Sequence, residues 1–190
     1  VVRDLDILAA MAAKNLCSVA VSVTTLDRDL ARRMEPRAAT PPRRLDAIRA
    51  LKDAGVPATV MAAPMIPFLN DWELERILEA AVQAGATEAG YTLLRLPYEL
   101  KDLFAQWLEA HEPDKARHVL NQLRECRRGA LNVSEFGERL RGKGTYADLL
   151  ADRFHLACRR LGLNERNNNE LDCSRFRPPV PPGGQMSLFS

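Results

Sequence analysis

V-A-V-S-V-T-T-L-D, Val19 to Asp27, opens the stretch on which the fold turns, and two further runs repeat its design: A-A-P-M-I-P-F-L-N-D ending at Asp71 and Y-T-L-L-R-L-P from Tyr91 to Pro97. Each is a short apolar, β-branched or alanine-rich run that delivers a polar or proline-rich segment at its C-terminal end. The strands are expected at Val19 to Thr25, Val56 to Ala63 and Glu88 to Leu94, with helix-patterned segments between them. This is the rhythm of a parallel β/α sheet, whose chemistry collects at the carboxyl ends of its strands. Function is therefore sought in those three end segments.

To either side of these runs the punctuation is clear. Asp6 to Leu16 reads as a short helix that expects a strand before it, and the chain begins with Val1 rather than Met, so the start is not expected to be the biological one. Leu26 to Pro42 is long, basic and interrupted by Pro36, Pro41 and Pro42; it cannot be one helix, although Asp27 to Met34 has room for a helical turn. Pro42 then opens a helix that carries Leu45, Ile48 and Leu51 on one face and stops at Gly55. After the second strand, Asn70 or Asp71 is expected to cap a helix with Glu73 completing a capping box, and Gly85 ends it. Beyond the third strand the chain reads as wholly helical, with helices around Leu100 to Leu108, from near Asp114 through Leu123, and from a Thr145 cap to Gly162.

The composition is that of an ordinary globular protein: 190 residues, 46% apolar, 27% charged and a formal net charge of +2. That charge is too small to argue for nucleic acid by itself, and the local bunch Arg124, Arg127, Arg128, Arg139, Arg141 and Lys143 reads as a solvated helical face. No apolar run has the roughly 20 residues a membrane span needs, and no leader pattern opens the chain, so a cytoplasmic protein without membrane contact is expected. Cys17, Cys126, Cys158 and Cys173 match neither a disulfide framework nor a zinc spacing; Cys126 and Cys158 share helical spacing with apolar neighbours and are expected as buried thiols. His111, His118 and His155 converge with no carboxylate and are expected at the surface. No phosphate-cradling glycine loop and no Ser/His/Asp arrangement is present.

Three parallel strands cannot close a barrel, so the sheet needs further strands. The succession S-V-T-T-L-D, then M-E-P-R-A-A-T-P-P-R-R-L-D-A-I-R-A-L-K-D-A-G-V, then A-P-M-I-P-F-L-N-D, then Y-T-L-L-R-L-P resembles the second half of a radical S-adenosylmethionine protein. Within that superfamily it is most similar to the DNA repair photolyase-like group, related to spore photoproduct lyase. The resemblance covers roughly residues 1 to 163, and it lacks the family's C-x-x-x-C-x-x-C motif, so this chain by itself is expected neither to hold the cluster nor to be active.

The resemblance implies the C-terminal part of a partial (β/α)6 barrel at 1–97, a helical extension at 98–163 and a flexible tail at 164–190. For the full-length parent it implies a [4Fe-4S] cluster, S-adenosylmethionine, an electron donor, and reductive cleavage that yields a 5′-deoxyadenosyl radical, in repair or modification of a nucleic acid. By position it assigns Ser22 and Thr24 to the ribose and methionine portion of the cofactor, and Glu35 with Arg44 to the neighbouring loop and helix start. Pro64, Met65 and Ile66 become an apolar wall for adenine, and Tyr91 with Arg95 the last strand end. Ser22 as a small residue at a tight contact, solvated loop charges, a rigid crossing loop and a core Tyr91 are the corresponding structural alternatives.

A second reading concerns the tail. Gln185, Met186, Leu188 and Phe189 resemble the peptide by which bacterial repair proteins dock on the sliding clamp, a sensible use of apolar anchors on a flexible stalk. An accessory docking protein, or an unrelated β/α domain without catalysis, remains an alternative to the enzyme.

Overall fold

The computed structural model describes residues 1–165, 171–174 and 176–177; the tail bearing Gln185, Met186, Leu188 and Phe189 lies outside them. The described chain is α/β, with one sheet of three parallel strands in the order β1-β2-β3. The strands are β1 (Val19–Ser22), β2 (Ala58–Met65) and β3 (Glu88–Leu93). Around them lie α1 (Leu5–Ala12), α2 (Arg28–Met34), α3 (Pro41–Asp53) and α4 (Leu74–Ala84). After the sheet come α5 (Leu100–His111), α6 (Pro113–Glu125) and α7 (Thr145–Leu161).

Register divides the sheet into two unlike faces. Val19 pairs with Ala58, Val21 with Val60, and Ala62 with Tyr91, so these side chains share one face. That face meets α3, α4 and α7 and holds the core: Ala58, Val60, Ala62, Ile48, Leu51, Ile77, Leu78 and Leu93 are at most 2% exposed. The opposite face presents Ala20, Ser22, Thr59, Met61, Glu88, Gly90 and Thr92, none of which is buried. Burying apolar area at about 25 cal/mol per Å² drives the first face together, while the second, small or polar except at Met61, offers little to bury.

Local chemistry fixes the elements. Asp27 caps α2 by accepting from the amides of Asp29 (2.7 Å) and Leu30 (3.2 Å). Pro41 and Pro42 sit in the first turn of α3, where a missing donor is harmless. Gly85 closes α4 at φ 109°, a left-handed conformation that favours glycine. The expected capping box at the start of α4 does not form. Asp71–Glu73 makes a 3-10 turn, neither Asn70 nor Glu73 caps through its side chain, and both reach back to β1 instead.

The helical extension is packed onto the sheet. Arg153 of α7 makes two hydrogen bonds to the Glu75 carboxylate at 2.8 and 2.7 Å and a third to the Asp71 carbonyl, joining α7 to α4. The Arg153 guanidinium holds the Glu75 carboxyl below its ordinary pKa. Helix α5 returns to α2, where Trp107 Nε1 donates to the Arg33 carbonyl (3.1 Å) and Arg33 pairs with Glu112 (3.0 Å).

Of the basic bunch only Arg124 lies on a helix, and all but Arg127 are solvated as expected. Residues 129–144 run as loop and turn, and Arg127 at its head is 1% exposed. Its guanidinium donates to the carbonyls of Leu93 (2.9 Å), Leu94 (2.9 and 3.1 Å) and Arg139 (3.1 Å). Backbone acceptors take up this charge, where the composition suggested water. Cys126 and Cys158 are buried as expected, and burial pushes both thiols up, Cys158 to about 11. The three histidines are exposed.

Candidate functional site

At the C-terminal ends of β1 and β2 the chain Ser22–Leu26 is held from two sides. On one side Arg44 of α3 donates through Nη1 to the Ser22 carbonyl (3.0 Å), through Nε to the Ala39 carbonyl (2.9 Å) and through Nη2 to Glu35 Oε2 (2.7 Å). Thr24 Oγ1 lies 3.3 Å from both Glu35 Oε2 and the Ala63 carbonyl. On the other side Asn70 Nδ2 donates to the carbonyls of Thr24 (2.7 Å) and Pro64 (3.0 Å), and its Oδ1 accepts from the Ile66 amide (2.6 Å). Glu73 accepts from the Thr25 hydroxyl and from the Leu26 amide (3.2 Å). Thr24, Thr25, Asn70 and Glu73 are all at most 4% exposed.

The outcome is a strand end whose polar groups are satisfied before any ligand arrives. A buried polar group left without a partner costs about 1–3 kcal/mol, so this network fixes the geometry of the turn. Ser22 is the exception: its side chain is exposed on the uncovered face, and its hydroxyl makes no hydrogen bond within the described residues. A cavity of about 380 Å³ adjoins the network, lined by Arg28, Arg32, Glu35, Pro36 and Thr40 among others. That volume is within the range of small-molecule sites.

The structure thus brings together Ser22, Thr24, Glu35, Arg44 and the Pro64 carbonyl. Arg44 is engaged three times by the protein itself and acts as a staple between the loop and β1. Met65 and Ile66 are fully buried, and their side chains serve the core. Tyr91 points to the helix-covered face, where its ring centroid is 4.8 Å from that of Phe154; its hydroxyl is buried without a partner, and burial raises its pKa. Arg95 is exposed beyond β3. Sequence reading missed the linking roles of Asn70 and Glu73 because a helix cap accounted for both. It missed Arg127 because nothing in a run of arginines marks the one that is buried.

The four cysteines do not assemble. Among the described residues no group of three or more His, Cys, Asp or Glu side chains could hold a metal ion. No helix among them is long and apolar enough to cross a membrane.

Residues 1–81 match the family model described as the Radical SAM superfamily. Over 142 residues the chain is 34% identical to the uncharacterized proteins Mb2609c of Mycobacterium bovis and Rv2578c of Mycobacterium tuberculosis, an alignment that covers 73% of this chain and 41% of each relative. The chain therefore spans less than half the length of the curated relatives it matches. No solved structure matches it. The region matched by the family model contains β1, β2 and the whole Ser22–Thr24–Glu35–Arg44–Asn70–Glu73 network.

Proposed function

We propose that this chain is the C-terminal part of a radical S-adenosylmethionine enzyme, in which the ends of β1, β2 and β3 form one wall of the cofactor pocket. The observation that carries the reading is the coincidence of the family match over 1–81 with three parallel strands whose uncovered face is small or polar except at Met61. Such a face suits the inside of a barrel that further strands complete.

The cysteines of this chain do not fit an iron-sulfur cluster, so the cluster ligands of the parent belong to segments outside this chain. When bound, the cluster and S-adenosylmethionine supply reductive cleavage and a carbon radical; that chemistry is the cofactor's. What this chain supplies is position. Ser22 presents a hydroxyl able to donate to a carboxylate or ribose oxygen. Glu35, Arg44, Asn70 and Glu73 hold the backbone around it, and the cavity beside Glu35 and Thr40 gives room for a polar ligand. A nucleic-acid substrate is the finer form of the proposal, and it rests on the resemblance of the strings S-V-T-T-L-D, A-P-M-I-P-F-L-N-D and Y-T-L-L-R-L-P to the DNA repair photolyase-like group.

The test is anaerobic reconstitution of the full-length protein with iron and sulfide, followed by reduction in the presence of S-adenosylmethionine. Formation of 5′-deoxyadenosine, weakened about tenfold or more in affinity by Ser22→Val, supports the reading. Absence of a cluster in the full-length protein, or cleavage indifferent to Ser22, refutes it.

A further inference from the structure

The loop 128–144 is fastened to the C-terminal end of β3 at several points, and it carries the most exposed ring among the described residues. Leu140 accepts from the Leu93 amide (2.7 Å) and Leu131 from the Leu96 amide (3.0 Å). Buried Arg127 joins the Leu93 and Leu94 carbonyls to the Arg139 carbonyl in the middle of the loop. Gly142 passes so close that a Cβ there would sit 2.9 Å from Leu93 Cδ2 and 3.0 Å from the Cys126 carbonyl, at φ 74°. Within the loop, Glu138 pairs with Arg128 (2.6 Å) and with Lys143. An anchored, internally paired loop of this kind keeps a defined shape.

On that scaffold Phe136 stands 91% exposed, with the Arg139 guanidinium 5.7 Å from its ring centroid. A single exposed ring is ordinary, but one displayed on a braced loop with a guanidinium at its face is presented ready to stack on a flat partner. The surrounding charge says which kind. Arg139, Arg141 and Arg95 are exposed and take part in no ion pair among the described residues, whereas the acids of the loop, Glu135 and Glu138, are already paired. The uncompensated charge is positive. A ring backed by Arg139, on a loop that also carries Arg141 and is fastened to the strand end that leads into Arg95, fits a ligand that combines flat bases with regularly spaced anions.

We infer that loop 128–144 is a contact arm for single-stranded nucleic acid, with Phe136 stacking on an unpaired base and Arg95, Arg139 and Arg141 meeting phosphates. The arm sits at the same end of the sheet as the candidate site, and it deepens the proposed function by giving the substrate class a surface. It rests on that reading only for the chemistry done once the strand is bound. Binding itself needs neither cluster nor S-adenosylmethionine, so the two can fail separately.

The experiment is fluorescence anisotropy of a labelled oligothymidylate with the full chain, run over a range of salt concentrations, with a duplex of equal length and polyglutamate as competitors. Circular dichroism of each variant controls for folding. The arm predicts saturable binding that Phe136→Ala weakens about tenfold at every salt concentration and Phe136→Trp preserves. The double change Arg139→Gln with Arg141→Gln leaves stacking in place but flattens the dependence of log K on log salt by about 0.7 for each phosphate no longer neutralised. Three results overturn the inference: no binding of the oligonucleotide, binding indifferent to Phe136→Ala in a folded variant, or displacement by polyglutamate as effective as by the oligonucleotide itself. The last would make the loop an acceptor of acidic protein segments instead.

Discussion

The outer edge of β3 and the outer edge of β1 present the same difficulty, a row of backbone donors and acceptors with no further strand beside it among the described residues, and the chain treats them in different ways. At β3 the edge is covered on both sides of Tyr91, at Ala89 and at Leu93. Asn164 accepts from the Ala89 amide (2.9 Å) and donates to the Ala89 carbonyl (3.1 Å), copying with its side chain what a neighbouring strand would do; its own amide reaches the Thr87 carbonyl (3.2 Å). Further along, Leu140 accepts from the Leu93 amide and Arg127 donates to the Leu93 and Leu94 carbonyls. At β1, Val19 and Val23 donate toward β2, so the groups of Ala20 and Ser22 alternate outward. Of these, the Ser22 carbonyl is taken by Arg44, and no other strand pairs with β1 among the described residues. Edge strands left open invite pairing, and proteins usually cover or blunt them. The contrast gives the proposal a direction: β3 is largely covered by other parts of the chain, and β1, the barer edge, is the side on which the proposed barrel extends.

Arg127 is where the contrast between the edges is most vulnerable. Arg127→Met keeps the volume of the stem but leaves the carbonyls of Leu93, Leu94 and Arg139 without a donor, and urea unfolding should show a loss of about 3–5 kcal/mol. A loss below about 1 kcal/mol would mean that the seal of β3 is decoration. Next comes Asn70, fully buried, which joins the end of β1 to the end of β2. Asn70→Ala strands the Thr24 and Pro64 carbonyls and the Ile66 amide, and a destabilisation of about 2–4 kcal/mol is expected in the same assay. Asn70→Asp should recover only the bond from Ile66, since a carboxylate cannot donate to the two carbonyls.

A smaller effect, set by pH, concerns the clasp between α4 and α7. The Glu75 carboxyl is held below its ordinary pKa first by its hydrogen bond from Arg153, against the opposing effect of burial. Its contribution to stability is therefore fully present above the unfolded carboxylate range and is lost as pH falls through the depressed folded value. With both partners about 30% exposed, solvent screening limits this to about 1 kcal/mol. Thermal melting from neutral pH downward should show wild type losing its advantage over Glu75→Gln in acid. Parallel curves for the two proteins would show that the clasp adds nothing to stability.

Much of this architecture is legible in the sequence, because periodicity reports burial. Val19, Val21 and Val23 alternate with small residues, Leu74, Ile77, Leu78 and Ala81 repeat at helical spacing, and Pro42 and Gly85 punctuate, so the strands and helices fall within a few residues of their observed bounds. The candidate site is only half legible. Ser22, Thr24, Glu35 and Arg44 do converge, since a strand end and the first turn of the next helix are neighbours in any β/α unit. Asn70 and Glu73 carry the same letters whether they cap a helix or grip another strand, and long-range hydrogen bonds leave no periodic trace. Arg127 and Asn164 are hidden for that reason too: a polar residue that completes a sheet edge is indistinguishable by spacing from one in water. The glycines at 129, 137, 142 and 144 were the available signal that 129–144 could not be a helix.

Amide hydrogen exchange is the decisive measurement, comparing Ala20 and Ser22 on the edge of β1 with Ala89 and Leu93 on the edge of β3, in this chain and in the full-length protein. Protected Ala89 and Leu93 amides are predicted in both, and Ala20 and Ser22 amides that exchange freely in this chain but become protected in the full-length protein when the next strand pairs with β1. Free exchange at Ala20 and Ser22 in the full-length protein would contradict this, because the sheet would then end at β1 and no further strands would complete a pocket over its uncovered face.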